Sequence, residues 1–330
     1  MNKARVFTAM PLAAALVAAT ACGGSGGDSG GSGDDSAITV VASTNVWGAV
    51  AKAVGGDRVE VNSLIDDPSS DPHSYEATAE DAADVQDSDL LVYNGGGYDD
   101  FFTQLVEQAT DKRSVVAVPD DGGGHQHGHG GHGGDGAESG EHGDEGDAEH
   151  GHEGHSHGDG DNEHVWYDPE AVGELADEVA QELAEIEPGQ KQTFTDNAAE
   201  FTKRLEGLEQ KIAGTSDGRV VATAPVAHYL LTGAGLEDVT PPEYMRAIAN
   251  ETDVPVAAQQ QVTSLVEGGQ VDAVINNPQT VTSVTEKLVN EADGADVPVV
   301  DMTETLPEGQ DDYIAWMTGQ IDALAGALGQ

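Results

Sequence analysis

The sequence predicts an α/β fold: two lobes of mainly parallel sheet joined by one long rigid helix. Three observations predict it. From Ala37 onward, short apolar segments alternate with helical patterns, as in sheets built from βαβ units. A single polar but amphipathic stretch, 190–213, divides these alternations into two halves. Setting aside an N-terminal tail and a histidine-rich tract leaves roughly 260 residues, enough for two modest domains or one large one.

At the N-terminus, Lys3 and Arg5 precede an apolar run from Val6 to Ala21. That run is too short to span a bilayer, so residues 1–21 read as a signal peptide. It ends in ATAC, and Cys22 is the only cysteine of the chain. Small residues before a lone cysteine at this place resemble a bacterial lipobox, with Ala19 where leucine is usual. Residues 22–36 continue as GGSGGDSGGSGDDS after the cysteine, a flexible tether for a lipid-anchored domain on the extracytoplasmic face of the cell membrane. With its one cysteine spent on the anchor, the chain has no disulfide and no thiolate ligand. A metal site must then use histidine and carboxylate.

The expected first lobe spans 37–187, with strands at Ile38–Ala42, Arg58–Leu64, Asp89–Tyr93 and Ser114–Val118. Thr78 with Asp81 three residues on resembles a capping box, and Asp168-Pro169 places a cap before a proline at the first helical position. In the linking helix, 188–214, the residues Phe194, Ala198, Phe201, Leu205, Leu208 and Ile212 alternate in steps of four and three. They form one apolar stripe. The second lobe, 215–330, carries expected strands at Arg219–Thr223, Val271–Ile275 and Val297–Val300.

Within the first lobe, 122–160 breaks this pattern. Nine histidines fall in the 33 residues from His125 to His157, with no aromatic and no aliphatic residue longer than alanine. Such a segment has nothing to bury against the entropy of ordering. The pairs recur as HxH at His125, His127 and His129, at His150 and His152, and at His155 and His157. Together with His132 these are expected auxiliary metal ligands on a mobile loop, since neutral imidazole suits late first-row divalent ions. The plain alternative is a solvated acidic linker. The chain as a whole has 61 acidic against 13 basic residues, a net charge of −48. Such a surface repels phosphate backbones, which excludes nucleic-acid partners.

The segments DPHSYEATAEDAADVQDSDLLVYNGGGYDDF and EHVWYDPEAV, with VTPPEYMRAI, INNPQT, VPVVDMTETLP and YIAWMTGQIDAL later, carry a resemblance that runs from Ile38 to the C-terminus. The chain resembles the zinc- and manganese-binding lipoproteins that serve bacterial ABC importers, the cluster A-I solute-binding family. The resemblance implies a metal bound in the cleft between the lobes, and delivery to an ABC permease driven by its ATPase. It also implies His73 and His164 as the first two ligands. Many zinc-type members carry a His-rich acidic loop before the second ligand, where this chain has one.

The third ligand position departs from the family, because Ala224 stands where Glu or His is usual. His228 lies four residues on, one turn along the same face if a helix starts at Pro225, and is the candidate replacement; water or a tract histidine is the alternative. The carboxylate is expected in VVDMTETLP. Distance from Pro298 favours Glu304 and distance back from Tyr313 favours Asp301. Glu76 and Asp168 read as orienting acceptors or caps. Three imidazoles and a carboxylate suit Zn2+ better than Mn2+. The expected function is thus zinc capture and delivery by a monomeric lipoprotein that is not an enzyme; HExxH is absent. The alternatives are a manganese-binding homologue, or a zinc buffer or adhesin without a permease.

Overall fold

The computed structural model describes residues 37–119, 162–215 and 217–329. The signal peptide, Cys22, the tether and the histidines of the tract, His125 to His157, lie outside the described residues.

The first lobe runs β1 (Ile38–Thr44), α1 (Asn45–Gly55), β2 (Val59–Ile65), α2 (Ala79–Asp87), β3 (Leu90–Gly95), α3 (Asp100–Gln108) and β4 (Arg113–Val118). Two helices follow, α4 (Pro169–Ile186) and α5 (Lys191–Ala213). The second lobe runs β5 (Arg219–Ala222), α6 (His228–Gly233), β6 (Glu237–Asp238), α7 (Pro242–Ala249), α8 (Val256–Glu267), β7 (Ala273–Asn276), α9 (Ser283–Gly294), β8 (Val299–Asp301) and α10 (Tyr313–Ala327). Each sheet has four parallel strands, ordered β2-β1-β3-β4 and β6-β5-β7-β8. The strand order therefore reverses at the same point in both lobes, between β1 and β3 and between β5 and β7. Such a switch point opens a crevice at the carboxyl ends of the strands.

Helices cover both faces of each sheet, so the strands are apolar on both sides. Val40, Ala42, Leu90 and Val92 face the central core, while Val41 and Leu91 face a smaller cluster around Phe101 and Phe102. In the second lobe Val220, Ala222 and Ile275 face the central core, and Val221 and Val274 face a cluster around Tyr244 and Val262. The central core is continuous through both lobes. Phe194, Ala198, Phe201, Leu205, Leu208 and Ile212 of α5 are all buried in it, with Met317, Ile321 and Leu324 of α10.

Two local expectations meet their mechanism. Thr78 Oγ1 accepts from the Asp81 amide at 3.2 Å while the Asp81 carboxylate accepts from the Thr78 amide at 2.7 Å, a reciprocal box worth about 1 kcal/mol. Asp168 caps α4 by accepting from the Glu170 amide at 3.0 Å, with Pro169 in the first turn. Sequence reading missed β6, whose two residues Glu237 and Asp238 are both exposed. It also started β7 two residues early. The Asp272 carboxylate accepts from the Arg219 amide at 2.8 Å, so a side chain occupies that end of the ladder.

Candidate metal centre

His73 follows β2 in a single 3₁₀ turn, Pro72–Ser74. Asp71 caps this turn by accepting from the His73 amide at 3.0 Å. His164 precedes the turn Val165–Tyr167 that leads into α4. Glu304 comes three residues after β8, from the other lobe. One ligand atom from each of these residues lies within 4.8 Å of the other two. His73 Nε2 and Glu304 Oε2 lie 3.8 Å apart. A tetrahedral zinc with bonds of about 2.1 Å spaces its ligands about 3.4 Å apart, so the three need only a small contraction to share an ion.

The surroundings fix each donor. Asn162 Nδ2 donates to the Pro225 carbonyl at 2.9 Å, and its Oδ1 accepts from the His164 amide at 2.8 Å. Those two bonds set the amide's orientation, so the 2.7 Å contact between Oδ1 and His164 Nδ1 requires a proton on Nδ1. The lone pair of the His164 ring then sits on Nε2. This is the outer hydrogen bond that orients a ligating imidazole.

Glu304 is 1% exposed. Its Oε1 accepts from Asn277 Nδ2 at 2.6 Å, and its amide donates to Gln279 Oε1 at 2.6 Å. Gln279 Nε2 reaches across the cleft to the Ser70 carbonyl at 3.1 Å, three residues before His73. Burial pushes the Glu304 carboxyl up from its ordinary value, and His73, Asn277 and Tyr98 pull it back down. Its Oε2 is buried without a hydrogen-bond partner. A buried carboxylate in that state is costly unless a cation faces it.

An aromatic wall closes one side. The Tyr98 ring meets His73 edge-on at 5.0 Å between centroids and Trp166 at 4.6 Å, and Trp166 meets His164 at 5.1 Å.

Two candidates stand outside this group. His228 is exposed at the start of α6, its ring 5.4 Å from that of Tyr229. The expected four-residue step from Ala224 fails because Pro225–Ala227 is a 3₁₀ turn, with three residues per turn, and α6 begins only at His228. Asp301 is the last residue of β8 and is exposed. Its Oδ1 accepts from Asn276 Nδ2 at 2.7 Å. Strand alternation explains why: Val300 faces the central core, so Asp301 points to the opposite side with Val299. Asp168 caps α4, and Glu76 is exposed. The site residues that sequence reasoning missed are Asn162, Asn277, Gln279 and Tyr98. Three of the four lie inside the quoted motifs, but nothing in their spacing announces a role.

Comparison with known proteins agrees with the architecture. The chain is 25% identical over 293 residues to the zinc-binding lipoprotein AdcA of Streptococcus pneumoniae, covering 83% of this chain and 52% of that one. It is 27% identical over 206 residues to the manganese ABC transporter substrate-binding lipoprotein PsaA of the same species, covering 55% of this chain and 56% of that one. The chain thus spans about half the length of these curated relatives. Among solved structures, the periplasmic zinc binding protein TroA of Treponema pallidum superposes with a TM-score of 0.67 at 17% identity, covering 89% of this chain and 99% of that one. Residues 40–327, from the first strand to the end of the last helix and including all three clustered donors, match ZnuA, described as zinc-uptake complex component A, periplasmic, and the chain belongs to that family.

Proposed function

We propose that the protein captures a divalent metal ion, zinc in preference to manganese, and delivers it to an ABC-type permease and its ATPase. The family is one of solute-binding proteins, not enzymes, so the cluster is read as a cargo site. The observation that carries the reading is the buried, unpartnered Glu304 Oε2 set 3.8 Å from His73 Nε2 across the cleft, with His164 beside them. His73, His164 and Glu304 would hold the ion. Two imidazoles and one carboxylate suit zinc, as does the family to which the chain belongs. Manganese is the second reading, supported by the match to PsaA.

Lipid attachment at Cys22 would hold a monomer at the outer face of the cell membrane, in keeping with the relatives named as lipoproteins. Among the described residues no helix is long and apolar enough to cross a membrane. The histidines His125, His127, His129, His132, His150, His152, His155 and His157 would bind further zinc weakly. Titrating zinc and manganese into the protein, with and without residues 122–160, tests this. One tight zinc site that survives the deletion is expected. A single class of weak sites lost with the tract would overturn it.

A further inference from the structure

The three clustered donors leave an ion one protein group short of the usual tetrahedral set, and Ala224 supplies none. Beside them lies a polar group that no role above absorbs. Tyr98 is 1% exposed, and its hydroxyl is buried without a hydrogen-bond partner, as is Glu304 Oε2. The tyrosine hydroxyl lies near enough to the Glu304 carboxylate to favour its charged form, although the two do not meet in strict hydrogen-bonding geometry in this conformation. Buried hydroxyls are rarely left unbonded. Two orphaned polar atoms facing one cleft form a donor and an acceptor awaiting a small movement.

The chain builds Tyr98 in firmly. It sits on a turn in which Gly95, Gly96 and Gly97 all have positive φ. A Cβ on Gly95 would lie 2.3 Å from the Val118 carbonyl oxygen, so only glycine lets β3 end this way. The neighbouring Asp99 carboxylate, itself buried, accepts from the Asn94 and Gly95 amides at 2.7 and 2.8 Å and locks the turn. The ring is then wedged between His73 and Trp166.

Resting on the cargo-site reading, we infer that Tyr98 is a positioning residue for the bound ion: its hydroxyl donates to Glu304 Oε2 and holds that carboxylate toward the metal. A carboxylate oxygen has two lone pairs, so Oε2 can accept from Tyr98 and ligate at once. Asn277 holds the other oxygen, and the carboxylate is then fixed at both ends. Tyr98 thus compensates, through Glu304, for the ligand missing at Ala224.

The test is zinc competition against a chromophoric chelator strong enough to strip weakly held ions, on the full chain. The variants are Tyr98→Phe, His73→Ala, Glu304→Gln and the double variant Tyr98→Phe/Glu304→Gln. Tyr98→Phe removes one oxygen and should weaken the tight site about 10- to 100-fold, the range for outer hydrogen-bond partners of metal ligands. Its metal-free melting temperature should be unchanged or raised, because an unpartnered buried hydroxyl is lost. In the Glu304→Gln background the same change should have little further effect. Tyr98→Phe within twofold of wild type, while His73→Ala collapses, would overturn the inference and leave the cargo site standing. An undiminished Tyr98→Phe loss in the Glu304→Gln background would also overturn it, since Tyr98 would then act by packing alone. Equal zinc binding by wild type and His73→Ala would bring down the cargo-site reading and this inference with it.

Discussion

The two lobes share one strand order but prepare the cleft differently. The first lobe offers His73 from a short 3₁₀ turn, with its side chain 24% exposed. The second offers Glu304 fully buried and tied through Asn277, Gln279 and Thr223, with the Asn277 amide bonded to Thr223 Oγ1 at 2.9 Å. Equivalent topology therefore places a partly exposed imidazole, that of His73, opposite a buried carboxylate. The lesson is that the carboxylate side carries the cost of burying a charge before a cation arrives, while of the two imidazoles only that of His73 keeps partial access to solvent.

Removing the fixed donor breaks that comparison most severely. Glu304→Ala should abolish tight zinc binding, and His73→Ala should weaken it by more than the roughly 100-fold upper range for outer-shell partners, both read by competition titration. Their effects on the metal-free protein should diverge. His73→Ala should melt close to wild type, whereas Glu304→Gln should melt higher at neutral pH.

The pH dependence sharpens this. Burial raises the Glu304 carboxyl above its ordinary value of 4.5, so folding favours its neutral form. That contribution is fully present below about pH 4.5 and is lost as pH rises through the raised value. The melting-temperature gap between Glu304→Gln and wild type, both metal-free, should accordingly be absent at acid pH and grow toward neutrality. A gap independent of pH would assign the effect to packing.

A smaller effect is expected at the contact that joins the two sides. Gln279→Ala removes both the Glu304 amide's acceptor and the bond to Ser70, and should weaken zinc binding about tenfold with the fold intact. The smallest change is expected at His228. His228→Ala should leave affinity within about twofold, a size below the resolution of one ordinary hydrogen bond. A loss rivalling that of His73→Ala would bring His228 back into the site.

Much of the fold was legible because its causes are local. The stripe of α5, the box at Thr78 and the cap at Asp168 each depend on spacing within one segment. β6 was illegible because two exposed acidic residues carry no apolar alternation. In the cleft, His73, His164 and Glu304 sit in motifs, yet Asp301 and Glu304 could not be separated by counting along the chain. The phase of β8 against the core separates them, and that phase is a tertiary fact. Asn162 is anchored by the Pro225 carbonyl 63 residues away, Gln279 by Ser70 at a distance of 209 residues, and Tyr98 gains its role from a buried orphan atom.

The continuous core through α5 and α10 also bears on how an ion would leave. Prying the lobes apart would expose Phe201, Leu205, Tyr313 and Met317 to water, a cost spread over many side chains. Withdrawing residues 70–74 would break less: the Gln279–Ser70 bond, the approach of His73 to Glu304, and the ring contacts of His73 with Tyr98 and His164. On the proposed cargo reading, residence time would then be set by that short loop and not by separation of the lobes.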